Sequence, residues 1–557
     1  MNTALNAARR EQEWEALKKN PQVDLLVIGG GITGAGIALD AATRGLNTVL
    51  VEKHDLGFGT SRWSSKLAHG GLRYLAKMQV NIAYHSACER RIIMENSAPH
   101  LVHPLAQVTP LNSYISLLQA LAVRVGYLAG DLLSMAAFTK RSTLPHSRFL
   151  GKKQALELVP AAKRDGLKGA WVNYDGQMID DARMVLAVAR SAAGAGAKIF
   201  TYCSASAATG NGALLHNELT GEEFQLEAKA VINAAGVWAP ELDKTIKIRP
   251  ARGTHLVFDA ETLGNPKGAL TIPLRDSISR YLFILPADKG RCYLGLTDED
   301  QPGPIPDVPD TPEADIDFLL ENINPALERK LSRADIRGAF TGLRPLLTSD
   351  TEAATADLSR RHAIIKSANG LVSIVGGKFT EYRYMAEEAL DETLAYRNLS
   401  AEPCRTRNLP LVGAPRHPEN ERVALRDIYG LPEFLIRRYG KESRRVVAEA
   451  TVANPLGRIA DLDLTRAEVE FAITHEGALC VEDILERRTR LSMIPEQAEA
   501  ARPEIAEIFQ MLCSPAAAVD KAEAAQEKAA SKEATPSAEA IANGKSPAKG
   551  QGKRRHG

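Results

Sequence analysis

The sequence predicts an α/β fold in which a parallel, nucleotide-binding sheet is assembled from separated stretches of chain. A mainly antiparallel sheet is inserted into it, and a helical domain follows. Three observations carry this expectation. "VDLLVIGGGITGAGIALDAATRGLNTVLVEK" (residues 23–53) reads as strand, glycine turn, helix and strand. Strand-like runs ending in small residues return much later, at "AKAVINAAGVWAP" and "GLVSIVGGKFT". After about residue 401 the pattern turns helical and charged.

In the first unit, Leu25–Ile28 is an apolar run of strand length. The helical pattern Ile37, Leu39, Ala42 closes at Gly45, and Thr48–Val51 is the second strand. Short alternating runs such as "THLVF", "SRYLFILPA" and "RCYLGLTDED" suggest the antiparallel sheet. The resulting division is an N-terminal extension (1–20), a main region (21–400), a C-terminal helical domain (401–513) and a disordered tail (514–557). Within the main region the nucleotide-binding segments are expected at about 21–100, 165–245 and 345–400, with substrate-domain segments between them. The tail, rich in Ala, Lys, Glu, Ser and Pro, has too little apolar surface to offset its ordering entropy.

A chain of 557 residues exceeds one ordinary core, and 45% hydrophobic with 25% charged residues is a soluble globular composition. The formal net charge of +1 gives no field that argues for nucleic acid. Six scattered cysteines without a C-x-x-C pair exclude a zinc ribbon or redox dithiol and fit a reducing compartment; no metal is expected. The first twenty residues are charged throughout, unlike a secretory signal. The longest apolar stretch, Tyr114–Phe138, is interrupted by Arg124 and Asp131. A pair of buried or amphipathic helices is the expectation there, with a surface that dips into a membrane as the alternative.

Gly29-x-Gly31-x-x-Gly34 follows a strand and opens a helix. The first glycine makes the turn, the second lets backbone reach a pyrophosphate, and the third packs helix on strand. Free N–H groups at the helix start suit phosphates. Glu52, ending the second strand, stands where an acid binds ribose hydroxyls. Thr60, Ser61, Ser64 and Ser65 follow it as candidate pyrophosphate donors. The late returns of the nucleotide domain, at Gly236 of "INAAG" and at Gly377 and Thr380 of "GGKFT", favour an extended FAD over a nicotinamide dinucleotide in a Rossmann-like domain.

The sequence resembles FAD-dependent glycerol-3-phosphate dehydrogenases of respiration. The matching motifs are "VIGGGITGAGIALDAATRGL", "GTSRWSSKLAHGGLRYL", "DDARMVLA", "INAAGVW", "GTHLVF", "LGLTD", "TGLRPLL", "GGKFTEYR" and "ERRTRL", in family order from Asp24 to Leu491. The resemblance implies oxidation of sn-glycerol 3-phosphate to dihydroxyacetone phosphate, with electrons passed to a ubiquinone-type acceptor. It also implies monotopic attachment to the cytoplasmic face of the membrane, and leaves a homodimer open. By the same resemblance Arg73, Tyr74, Arg344, Arg360 and Lys378 form the substrate pocket and His69 lies beside the flavin. This chain reads Arg360-Arg361-His362 where the family carries an acid or aromatic after the arginine, so either arginine could enter the pocket.

Oxidising a secondary alcohol needs a hydride acceptor, a base, and a stabiliser for the developing alkoxide. His69 has the ordinary pKa of a neutral-pH base, whereas Arg344 is electrostatic because guanidinium is hard to deprotonate. Lys378 suits either stabilisation or proton acceptance. Arg73 and Arg360 suit the phosphate, with Tyr74 as a donor. His255 and Asp298 are expected to line the sheet or pocket. Gly70 and Gly71 are expected to let backbone approach flavin or substrate. A glycerol-3-phosphate oxidase releasing H2O2 from O2, or a non-catalytic flavoprotein, are the competing functions.

Overall fold

A computed structural model describes residues 2–71, 79–275, 280–347, 362–415 and 430–513. Arg73, Tyr74, Arg360, Arg361 and the 514–557 tail lie outside the described residues.

The expected β-α-β unit is present as strand Gln22–Ile28, helix Ile32–Thr43 and strand Thr48–Val51. All four residues of the second strand are buried, which is why its sequence is continuously apolar rather than alternating. The two strands pair in parallel with Leu25 opposite Thr48. "INAAG" ends strand Glu223–Asn233, which flanks the first strand in parallel with Leu25 opposite Ala230. Val372–Gly376 lies parallel beyond it, and antiparallel His362–Lys366 closes that edge. With Lys198–Phe200 and the hairpin Cys203–Thr209/Gly212–Asn217 the sheet has eight strands. Helices Asp181–Gly194 and Tyr382–Arg397 pack against Ile32–Thr43. Gly36 lets the last pair close up, since a Cβ there would sit 3.1 Å from the Tyr382 ring.

The second sheet has ten strands. Strand Ile248–Asp259 pairs antiparallel with Arg291–Gly295 and along its length with Gly338–Leu347. Ala269–Pro273 joins Val102–Leu111 in parallel, so the sheet is mixed but mainly antiparallel as expected. The segment boundaries need two corrections. Leu67–Ala68, inside the 21–100 span, pairs with Gly169–Met178 in the second sheet. Strand Gly169–Met178, inside the span assigned to nucleotide binding, pairs with Val102–Leu111 in the second sheet. Its run "AWVNYDGQM" alternates too weakly to reveal which sheet it joins.

The N-terminal extension contains helix Ala7–Lys19, whose buried Trp14 packs edge-on against Phe200 and Phe224. In the C-terminal region, helices Arg466–Thr474 and Pro495–Cys513 enclose their own apolar cluster, including Val469, Leu485, Leu491 and Ile505. Buried ion pairs dock it on the main region. Asp55 meets Arg487 Nε at 2.6 Å and Arg488 Nη1 at 2.5 Å, and Arg183 meets Glu476 at 2.8 Å.

The Tyr114–Phe138 stretch departs from expectation. It holds one helix, Leu117–Ala136, with a wide exposed apolar face: Leu117 is 87% exposed, Leu132 66% and Phe138, just beyond it, 80%. The interrupting charges turn inward to the loop at Ser147, where Arg124 donates to its Oγ at 3.0 Å and Asp131 accepts its N–H at 3.0 Å. By length and composition the helix is apolar enough to cross a membrane.

Candidate active site

A cavity of about 1020 Å³ runs between the two sheets, at the top of the range for ligand sites. One end is the glycine turn. Gly29 (φ +114°) has no room for a Cβ, which would lie 2.6 Å from the Ala234 carbonyl oxygen, and a Cβ on Gly34 would overlap the Gly29 carbonyl. Helix Ile32–Thr43 therefore starts hard against the strand, with glycine at its N-cap. Gly29, Gly31, Ile32 and Thr33 line the cavity. Glu52 Oε2 accepts the Gly30 N–H at 2.7 Å and Oε1 the His54 N–H at 3.0 Å. Burial raises the Glu52 pKa, and these two backbone bonds oppose the shift.

Thr60, Ser61, Ser65 and Gly236 also line the cavity. Their hydroxyls already have protein partners. Thr60 donates to the Leu343 carbonyl at 2.5 Å, Ser61 accepts the Ile32 N–H at 2.9 Å, and Ser65 lies 2.9 Å from His255 Nε2. Ser64 lines the cavity as well, and its hydroxyl donates to buried Asp181 at 2.8 Å.

The other end gathers His69, Arg344, Lys378, Gly377 and Thr380, from three separate stretches of chain. Thr380 Oγ1 accepts the His69 N–H at 3.2 Å. Gly377 (φ +86°) makes the turn that delivers Lys378, whose Nζ donates to Ser86 at 2.6 Å and Glu381 at 2.7 Å. Arg344 Nη1 lies 3.3 Å from Asp298 Oδ1, and its guanidinium occupies the space a Cβ on Gly253 would take. Asp298 thus lines the cavity, as expected, and there it also pairs with a cation.

His255 is the second imidazole of this end, and the sequence left it without a role. It stacks on Phe340 with ring centroids 4.7 Å apart and is 1% exposed. Burial, then Lys66 and Arg344, lower its pKa well below the usual value, so the ring is neutral. Its Nδ1 has no hydrogen-bond partner among the described residues. The signal was present in "GTHLVF", where a polar ring precedes the apolar run Leu256–Phe258.

The reading of Gly70 needs correction. A Cβ there would overlap the Arg90 guanidinium, so Gly70 makes room for a protein side chain rather than for flavin or substrate.

The comparisons with known proteins agree with this arrangement. Residues 24–382 match the FAD dependent oxidoreductase family, and residues 404–517 match the C-terminal domain of alpha-glycerophosphate oxidase. Glycerol-3-phosphate dehydrogenase 1 of Mycobacterium tuberculosis is 53% identical over 502 residues, covering 89% of this chain and 97% of that protein. The chain belongs to the FAD-dependent glycerol-3-phosphate dehydrogenase family. The mitochondrial member from Mus musculus is 36% identical, over 90% of this chain and 72% of its own. The X-ray structure of the glycerol-3-phosphate dehydrogenase from Bacillus halodurans, complexed with FAD, superposes with a TM-score of 0.68 at 28% identity. It covers 90% of this chain and 94% of that one.

FAD is the cofactor of this family, and the dehydrogenase fold presented here fits it. The side-chain-free turn at Gly29–Gly31 leaves backbone facing the cavity, Glu52 lies where the adenosine ribose is expected, and the cavity continues to the His69 end.

Proposed function

We propose that this protein oxidises sn-glycerol 3-phosphate to dihydroxyacetone phosphate and passes the electrons to a membrane quinone. One observation carries the reading: a single cavity joins the glycine turn, the His69–Arg344–Lys378 cluster and the inner side of the apolar Leu117–Ala136 helix. Bound FAD supplies the two-electron acceptor. The Arg344 and Lys378 cations attract the phosphate ester and offset negative charge growing on the reacting oxygen. Asp298 and Glu381 fix their positions, which lowers the reorganisation needed when substrate arrives. His69 takes the hydroxyl proton at its imidazole. His255, held neutral, keeps a third positive charge away from Arg344. Arg280 also lines the cavity; Arg73, Tyr74 and Arg360 take the phosphate by resemblance.

The exposed apolar face of the Leu117–Ala136 helix supports attachment to the inner surface of the cytoplasmic membrane. Leu118, Leu121 and Val125 of that helix also border the cavity, so an apolar acceptor has a route from lipid to the site. A second reading, an oxidase releasing H2O2, draws on the match of residues 404–517 to the C-terminal domain of alpha-glycerophosphate oxidase. Turnover of a quinone analogue without peroxide is expected. Stoichiometric peroxide with no quinone activity selects the oxidase.

A further inference from the structure

Against the His69–Gly71 wall lies a buried chain of polar contacts that the proposed reaction does not use, and it begins at Asp175 in the cavity lining. Asp175, in strand Gly169–Met178, accepts the Gly70 N–H with Oδ1 at 3.0 Å and Oδ2 at 3.3 Å. Arg90, in helix Val80–Ile92, donates from Nη1 to Asp175 Oδ1 at 2.6 Å. Its Nη2 donates to Ser134 Oγ at 2.8 Å, and Ser134 in turn donates to the Gly130 carbonyl at 2.9 Å. Ser134 and Gly130 belong to the apolar helix Leu117–Ala136. Arg90 and Asp175 side chains are each 4% exposed, so the links are protected from water.

This chain has a reason to exist. Gly70 and Gly71, the latter at φ +82°, have the widest conformational freedom of any residues, so their own sequence does not hold the wall in place. Gly70 is also fitted to the restraint, because only a residue without a Cβ clears the guanidinium. A charged partner strengthens each bond beyond a neutral one.

We propose that Arg90 and Asp175 are positioning residues. They hold the His69–Gly71 backbone in the conformation competent to bind the phosphate-ester substrate, and they tether it to the Leu117–Ala136 helix. The assignment rests on the proposed function, in that this wall contacts glycerol 3-phosphate. When the competent conformation is only partly populated, apparent affinity falls by that fraction, while saturating substrate restores it. Loss of the restraint therefore raises KM and largely spares kcat.

The test is steady-state kinetics of Arg90→Met, Arg90→Lys and Asp175→Asn holoenzymes with glycerol 3-phosphate and a water-soluble dye. FAD content and Tm are measured alongside. Arg90→Met and Asp175→Asn are expected to raise KM about tenfold with kcat within about threefold. Arg90→Lys recovers part of the loss, since an ammonium restores the charge but not the two-armed fork. Should Arg90→Met fail to fold, Ser134→Ala, at the outer end of the chain, is expected to raise KM by about twofold to threefold. A folded, FAD-loaded Arg90→Met with wild-type KM, or one that loses only kcat, overturns the proposal. If the wild-type enzyme does not turn over glycerol 3-phosphate, the substrate reading fails separately. Amide exchange of the peptide carrying Gly70 then decides: protection lost in Arg90→Met keeps the restraint, and unchanged protection removes it.

Discussion

Lys378 Nζ and Glu381 Oε1 stand 2.7 Å apart with both side chains only 7% exposed, and Ser86 Oγ lies 2.6 Å from each. The lysine expected to serve substrate is thus one member of a desolvated pair, held at the wall of the cavity by a helix it does not belong to. Breaking such a pair from one side leaves the other charge uncompensated.

Lys378→Met is accordingly expected to lower stability by about 3 kcal/mol and to abolish most dye reduction with glycerol 3-phosphate. Thermal melts of the holoenzyme check the first effect and initial rates the second. A variant that melts normally and turns over normally contradicts the assigned role.

Asp55 is buried between Arg487 and Arg488 at 2.6 and 2.5 Å. Burial pushes its carboxyl up, but the two guanidinium groups outweigh that and hold it below the ordinary value. Asp55→Asn strands buried Arg488, while Arg487 keeps Asp483 and Glu486, and is expected to cost about 3 kcal/mol, undocking the C-terminal region before the main region melts. Limited proteolysis followed by mass determination reads this directly.

His255 and His100 set a pH dependence. Burial lowers both, His100 to about 3, and neighbouring cations add to the shift at His255. Their folded pKa values lie below the unfolded value, so the unfolded chain binds more protons once pH drops below about 6.5. Stability is flat above that pH and falls as pH decreases, by at most about 1.4 kcal/mol per unit per group, until the folded pKa is reached. Urea unfolding at pH 7.5 and pH 5 checks this, and His255→Gln is expected to reduce the difference.

The apolar helix face yields a separable prediction. Leu117→Glu with Leu132→Glu, neither of them a cavity-lining residue, is expected to reduce co-sedimentation with anionic lipid vesicles by about tenfold or more. Dye-linked activity in detergent-free solution stays near wild type. Unchanged vesicle binding assigns the face to something other than lipid.

The nucleotide half was legible because its information is local. Apolar strand runs, a glycine turn and a terminal acid fall within thirty or so residues, and each has one physical use. The returns at "INAAG" and "GGKFT" were legible for the same reason, as buried strands ending in small residues. What escaped depends on distant partners. Nothing near Asp175 announces that Arg90 and Gly70 meet it, or that its strand joins the second sheet. The hydroxyls of Thr60, Ser64 and Ser65 looked available in sequence and prove to be engaged by Leu343, Asp181 and His255. The apolar stretch at Tyr114 was ambiguous because its charges could face lipid, water or core; only the fold directs Arg124 and Asp131 to Ser147.

The central claim is that one cavity brings FAD and glycerol 3-phosphate together. Its most direct test is the anaerobic absorption spectrum of the purified holoenzyme before and after addition of glycerol 3-phosphate. The account predicts that the flavin bands bleach with wild-type protein and persist with Arg344→Ala at the same substrate concentration. Flavin bands that remain unchanged in the wild-type protein at saturating glycerol 3-phosphate would contradict it.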